Sequence, residues 1–168
     1  GIPEVQQFVG GASNLTYLLR YGGGPDAGGR DLILRRPPTG TKARGAHDMR
    51  REHDIQAALA PVFPAVPRMV AFCGDDGVIG SQFYVMERVD GLIPRARLPE
   101  GVTLDPAATR RLCLAVLDKL VELHRVDYQA IGLAGIAKGA GYPRRQIEGW
   151  SERYEKARTW NVPAFRRV

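Results

Sequence analysis

The sequence of 168 residues contains no apolar run approaching the roughly 20 residues that span a bilayer, so no transmembrane helix is expected. Its opening, Gly1-Ile2-Pro3-Glu4, lacks the basic and apolar regions of a secretory signal. It also lacks an initiator methionine, which fits a trimmed or processed start, and a cytoplasmic setting is expected. Cysteine is scarce: Cys73 and Cys113 lie in apolar surroundings with no CxxC pair and no Cys/His cluster. That disfavours a zinc site or a structural disulfide and leaves two buried free thiols as the expectation. There is no Lys/Arg-rich run interleaved with aromatics and no recognisable nucleic-acid module, although the net charge is +6. The arginines are scattered in pairs such as Arg35-Arg36, Arg50-Arg51, Arg110-Arg111 and Arg144-Arg145. Phosphate-bearing small molecules suit that pattern as well as a polynucleotide does, and a nucleic-acid partner is not expected. No internal repeat is visible.

What is present is ordinary for a globular protein, with 44% hydrophobic and 25% charged residues. Val5–Val9 has the character of a strand, and Leu15–Tyr21 reads as a second. The glycine-rich segment Gly22–Gly29 between the second strand and a third, about Asp31–Arg36, reads as a flexible hairpin connection. After a loop, Asp48 can cap a helix that runs to about Leu59 and is stopped by Pro61. Two further strands are expected near Met69–Cys73 and Gln82–Arg88. Beyond Gly91 the pattern changes. Asp105-Pro106 caps a long amphipathic helix to about His124, with Leu112, Val116 and Leu120 on one stripe and Cys113, Leu117 and Val121 beside it. A last helix is expected over Arg145–Thr159. The fold class is therefore α+β, a small antiparallel sheet with one helix over residues 1–90, followed by the first helices of a second region over 91–168.

Three constellations could carry chemistry. The loop Gly10-Gly11-Ala12-Ser13-Asn14 lies between two strands, where glycines allow close backbone approach and Ser13 can donate to phosphate oxygens. It is no Walker A motif, since it lacks Gly-Lys-Ser/Thr and a following helix; a plain tight hairpin is the alternative. Arg35 alternates with Leu34 on the third strand, so it projects with Ile33, either inward to an anionic partner or outward at a strand end. Glu52 continues the Ile55 and Leu59 stripe of the helix. A carboxylate on that face wants a cation, for which Arg35 is the obvious candidate, a surface pair with Arg51 being the alternative.

In that order, a glycine-rich loop, a strand-three cation and a helix glutamate make the arrangement of a kinase N-lobe. The run Phe8–Tyr17 resembles the nucleotide loop of aminoglycoside phosphotransferase-like proteins. Leu34-Arg35-Arg36-Pro37-Pro38, Arg51-Glu52-His53 and Phe83-Tyr84-Val85-Met86-Glu87 stand at that family's positions, and the arginine in place of lysine, Arg35 with Arg36 as the alternative, is similar to choline kinases. Arg144-Arg145-Gln146 with Trp150 is similar to the kinase-like domains sometimes fused to acyl-CoA dehydrogenases. The resemblance implies a protein kinase-like N-lobe and transfer of the ATP γ-phosphate, with Mg²⁺, to a hydroxyl of a small molecule. It implies nucleotide contacts from Gly10, Gly11, Ser13, Asn14, Arg35 and Glu52. Met86-Glu87-Arg88-Val89-Asp90-Gly91 resembles the hinge, where backbone groups of Glu87 and Val89 would pair with adenine and Met86 would pack near the ring.

The family's His-Gly-Asp…Asn catalytic loop and its later metal-binding aspartate are missing from these 168 residues. No catalytic residue and no metal ligand is therefore assigned, and the chain alone is expected to be inactive. His124-Arg125-Val126-Asp127 resembles a His-Arg-Asp signature, but it follows directly on the long helix, has an extra residue and lacks the downstream asparagine. It is expected to be a helix end. The competing expectation is a non-catalytic nucleotide-binding or interaction module. The basic charge favours an anionic acceptor, such as a hydroxyacyl-CoA, over a polycationic aminoglycoside.

Overall fold

The computed structural model describes residues 1–9, 13–40, 47–93, 98–137 and 139–163. Strands β1 (Glu4–Gln7), β2 (Leu15–Tyr21) and β3 (Arg30–Arg36) form an antiparallel meander, as the local turns dictate. Helix α1 (Met49–Leu59) leaves the sheet, and β4 (Met69–Cys73) and β5 (Phe83–Glu87) complete it. The order is β1-β2-β3-β5-β4, so β5 folds back between β3 and β4 and becomes an inner strand. β1 is shorter than the expected Val5–Val9; after Gln7 only the Phe8 N–H, donating to the Thr16 carbonyl at 2.9 Å, continues the pairing.

The helix starts follow from their caps. The Asp48 carboxylate accepts the Arg51 N–H at 2.9 Å and opens α1. Asp105 accepts from the Ala108 N–H at 2.6 Å and opens α2 (Pro106–His124), with Pro106 at its first position. Helix α3 (Tyr142–Ala157) begins earlier than the expected Arg145, because Gly141 at φ 81 and Pro143 set its entry. The glycine-rich connection between β2 and β3 is more ordered than expected. Pro25–Ala27 forms a 3-10 turn, and the Gly29 N–H donates to the Gly24 carbonyl at 2.7 Å.

Period-two alternation and cross-strand register define one continuous face of the sheet. Asp31, Ile33 and Arg35 of β3 lie beside Arg20, Leu18 and Thr16 of β2, while Ile33 and Arg35 face Met86 and Tyr84 of β5. Charge stands at both ends of this face and apolar side chains in the middle, where Leu18 and Ile33 are buried. Helix α1 packs against β4 and β5. Met49, Phe63 and Tyr84 are buried there and, with Leu18, Leu32 and Ile33, form the core.

The apolar stripe of α2 is real in sequence but uncovered among the described residues: Leu112, Val116, Leu117, Leu120 and Val121 are all exposed. Cys113 is exposed with them and Cys73 is half-buried, so the thiols are free but not buried as expected. No helix among the described residues is long and apolar enough to cross a membrane.

Candidate functional site

The inner position of β5 brings Tyr84 beside Arg35 on the face that α1 covers, and Glu52 of α1 reaches down to both. One Glu52 oxygen, Oε2, receives the Tyr84 hydroxyl at 3.2 Å and an Arg35 guanidinium nitrogen at 3.5 Å. The other, Oε1, receives the Asn14 amide at 2.8 Å. The expected Arg35–Glu52 pair therefore forms, but it is the longest of the three contacts. Arg35 is held loosely and the loop end tightly.

Asn14 is the residue that sequence reasoning undervalued. Only 6% exposed, it joins the end of the glycine loop to α1. With its amide nitrogen spent on Glu52, its oxygen accepts a hydrogen bond from His47, whose Nδ1 lies 2.6 Å away. His47 has φ 59, the left-handed conformation a non-glycine residue adopts only when its surroundings fix it. Gln56, one turn beyond Glu52, donates to the Tyr84 oxygen at 3.2 Å and completes the polar cluster. Burial pushes the Tyr84 phenol above its ordinary pKa, so it remains a proton donor to Glu52 at neutral pH. A side-chain amide three positions from paired glycines was the available signal for Asn14. Tyr84 stood in the Phe83–Glu87 run without a role of its own, and His47 had no signal.

The guanidinium of Arg35 has capacity to spare. Its Nε is buried without a hydrogen-bond partner among the described residues, and so is that of Arg36, while the Arg35 side chain is 31% exposed. A part-exposed cation anchored at one corner suits an oxyanion through the donors of its terminal nitrogens. Ser13 is exposed at the edge of this cluster. Gly10 and Gly11 lie outside the described residues.

The expected hinge residues sit elsewhere on the same sheet. Met86 is half-buried on the Arg35 face, opposite Ile33. The Glu87 N–H donates to the Arg68 carbonyl at 2.9 Å, and its carboxylate pairs with Arg68 and, at 3.8 Å, with Arg30. The Arg68 hydrogen bond holds that carboxylate below its ordinary pKa. The Glu87 N–H and carboxylate are thus already engaged. Val89 is 72% exposed, and its N–H has no backbone partner among the described residues.

The His124–Asp127 string is a helix end, as expected. His124 closes α2, and the Asp127 carboxylate accepts the N–H groups of Gln129 and Ala130 at 3.0 and 3.1 Å, capping the next turn. No group of three or more His, Cys, Asp or Glu able to hold a metal ion is found among the described residues.

Comparison with known proteins identifies the family and fold. Residues 4–168 match the model of the phosphotransferase enzyme family. The chain is similar to acyl-CoA dehydrogenase family member 11 of Gallus gallus, 38% identical over 98% of this chain and 20% of that protein. The Homo sapiens member 11 is 34% identical over 98% of this chain and 20% of its own length. Member 10 of Mus musculus is 35% identical over the whole chain and 15% of its length. The chain thus spans at most about a fifth of the length of these relatives. Among solved structures it resembles a protein from Ralstonia eutropha provisionally described as an aminoglycoside phosphotransferase, with TM-score 0.73 and 32% identity over 97% of this chain and 44% of that one.

Proposed function

The chain belongs to the phosphotransferase enzyme family, and we propose that it is the nucleotide-binding part of a kinase that transfers the γ-phosphoryl group of ATP to a hydroxyl of a small molecule. The observation that carries this reading is the Glu52 cluster. A carboxylate from α1 orients Arg35 on the central strand and, through Asn14, the end of the glycine loop. Arg35, the backbone of the loop with Gly10, Gly11 and Ser13, and Asn14 as its anchor would hold the phosphates. At the other end of β5, the Glu87 carbonyl and the Val89 N–H would pair with the adenine edge, and Met86 would pack against the ring.

Phosphoryl transfer needs little covalent help from the protein; positioning and charge neutralisation supply most of the rate. In this reading Arg35 and the loop fix the phosphates, while the base that accepts the hydroxyl proton belongs to residues outside this chain. Mg²⁺, where bound, would neutralise phosphate charge; no step is assigned to it here. A cytoplasmic setting and an anionic acceptor, such as a hydroxyacyl-CoA, belong to the same proposal; the excess of arginine supports the latter.

The test is a comparison of neighbours on β3 in the complete protein. Arg35→Ala is expected to raise the KM for ATP at least tenfold, the scale of a lost charge-assisted contact. Arg36→Ala, on the opposite face of the strand, is expected to change it less than threefold. Equal effects of the two would remove the basis of the reading.

A further inference from the structure

The end of the sheet face opposite Arg35 carries a second ionic assembly that the nucleotide reading does not use. Asp31, the second residue of β3, has its side chain only 2% exposed. A buried carboxylate is costly unless it is fully paired, and this one is bracketed by two arginines. Arg20 of β2 donates to it through Nε at 3.2 Å and through a terminal nitrogen at 3.4 Å. Arg88, 57 residues along the chain, donates to the second carboxylate oxygen. Arg88 also pairs with Asp90 at 3.1 Å. The hydrogen bonds from Arg20 and then Arg88 hold the Asp31 carboxyl below its ordinary pKa, against the opposing effect of desolvation. The glycine-rich turn closes over the same group: a Cβ on Gly24 would lie 3.0 Å from the Arg20 Nε and 3.3 Å from a carboxylate oxygen of Asp31.

The position of Arg88 gives this assembly a purpose. Residues 88–93 leave the end of β5 with no secondary structure, and among the described residues they make no backbone hydrogen bond to the rest of the chain. Among the described residues, the contact that ties this segment back to the sheet is that of Arg88 with Asp31. Val89, between Arg88 and Asp90, has no backbone partner for its N–H among the described residues. A free donor on an untethered segment has no fixed direction; here both neighbours are pinned through one guanidinium, itself anchored to a buried acid of the sheet.

We propose that Asp31 is a positioning residue for the segment after β5, holding Arg88 so that the Glu87 carbonyl and the Val89 N–H stay aimed as a pair at the adenine edge of the nucleotide. This rests on the nucleotide reading of the site. Arg20 fills the other side of the carboxylate and belongs to the hairpin, not to the nucleotide. The arrangement acts on recognition of the base and leaves the phosphate end, at Arg35, untouched.

The experiment is calorimetric titration of the complete protein with ADP and, separately, with inorganic tripolyphosphate, which has phosphates but no base. Arg88→Gln is expected to weaken ADP about tenfold, the loss of one charged hydrogen-bond anchor, and to leave tripolyphosphate unchanged. Arg88→Lys should recover part of the loss, and Arg20→Gln should bind ADP within about twofold of the unaltered protein. Asp31→Asn should repeat the Arg88→Gln pattern; should it fail to fold, the exposed Arg88 variants carry the test. Unaltered ADP affinity in Arg88→Gln, or an equal loss of both ligands, overturns the proposal. If the unaltered protein binds tripolyphosphate but not ADP, or neither, the nucleotide reading itself fails, a result distinct from a silent Arg88 variant.

Discussion

Asn14→Ala probes the strongest contact in the candidate site. The substitution removes the 2.8 Å hydrogen bond to Glu52 and the 2.6 Å bond from His47. A hydrogen bond to a charged group contributes roughly 1.5–3 kcal/mol and a neutral one about 1 kcal/mol. Part is returned, because the Glu52 side chain is 30% exposed and water can reach the vacated oxygen. The expected loss of stability is about 2 kcal/mol. The sharper measure is a double-mutant cycle with Glu52→Ala, using urea denaturation of the unaltered, single and double variants. If the bond forms in solution, the double variant is less destabilised than the sum of the singles, by about 1–2 kcal/mol. Additivity within about 0.5 kcal/mol would refute the contact, and with it the claim that α1 anchors the loop. Asn14→Asp supplies a sign test: a carboxylate facing Glu52 adds repulsion, so it should destabilise more than alanine although its shape is nearly unchanged.

Two further predictions concern the opposite end of the sheet. Because the folded-state pKa of Asp31 is depressed, its ion pairs contribute stability that is fully present above the ordinary aspartate pKa, about pH 4, and lost as the pH falls through the lower folded value. Asp31→Asn should therefore be destabilised at neutral pH yet lose less additional stability on acidification; parallel acid melting profiles for the two proteins would contradict this. Gly24→Ala should destabilise the hairpin by about 1–3 kcal/mol, since φ 87 disfavours any side chain and the new methyl meets the Arg20 guanidinium. Thermal melting checks it, and an unchanged midpoint would mean that the turn relaxes freely.

The features legible in the sequence are those encoded locally. Asp48 and Asp105-Pro106 marked the starts of α1 and α2 correctly, because a cap acts on N–H groups within one turn of itself. The strands were legible from their β-branched and aromatic runs. The Arg35–Glu52 pair followed from two periodicities read together, and the structure makes it. What escaped was non-local. Nothing near Asn14 announced that its partner lies 38 residues away on α1. Asp31 looked like the first residue of a strand, and its second arginine is supplied from the far end of β5. The expectation of buried thiols failed for a different reason. Cys113 follows the apolar pattern of α2, but pattern gives the face of a helix and not what covers it.

The inner position of β5 also bears on the order in which the lobe can assemble. β1, β2 and β3 join through short connections, so their pairing costs little loop-closure entropy, whereas β5 must return across α1 and β4 to reach β3. Tyr84 and Met86 arrive with it. Until β5 is seated, α1 lacks one of the two strands it packs against, Glu52 lacks the Tyr84 hydroxyl, and β4 has no strand joining it to the sheet. The meander can form without the Glu52 cluster, but the cluster is complete only once the last strand is in place.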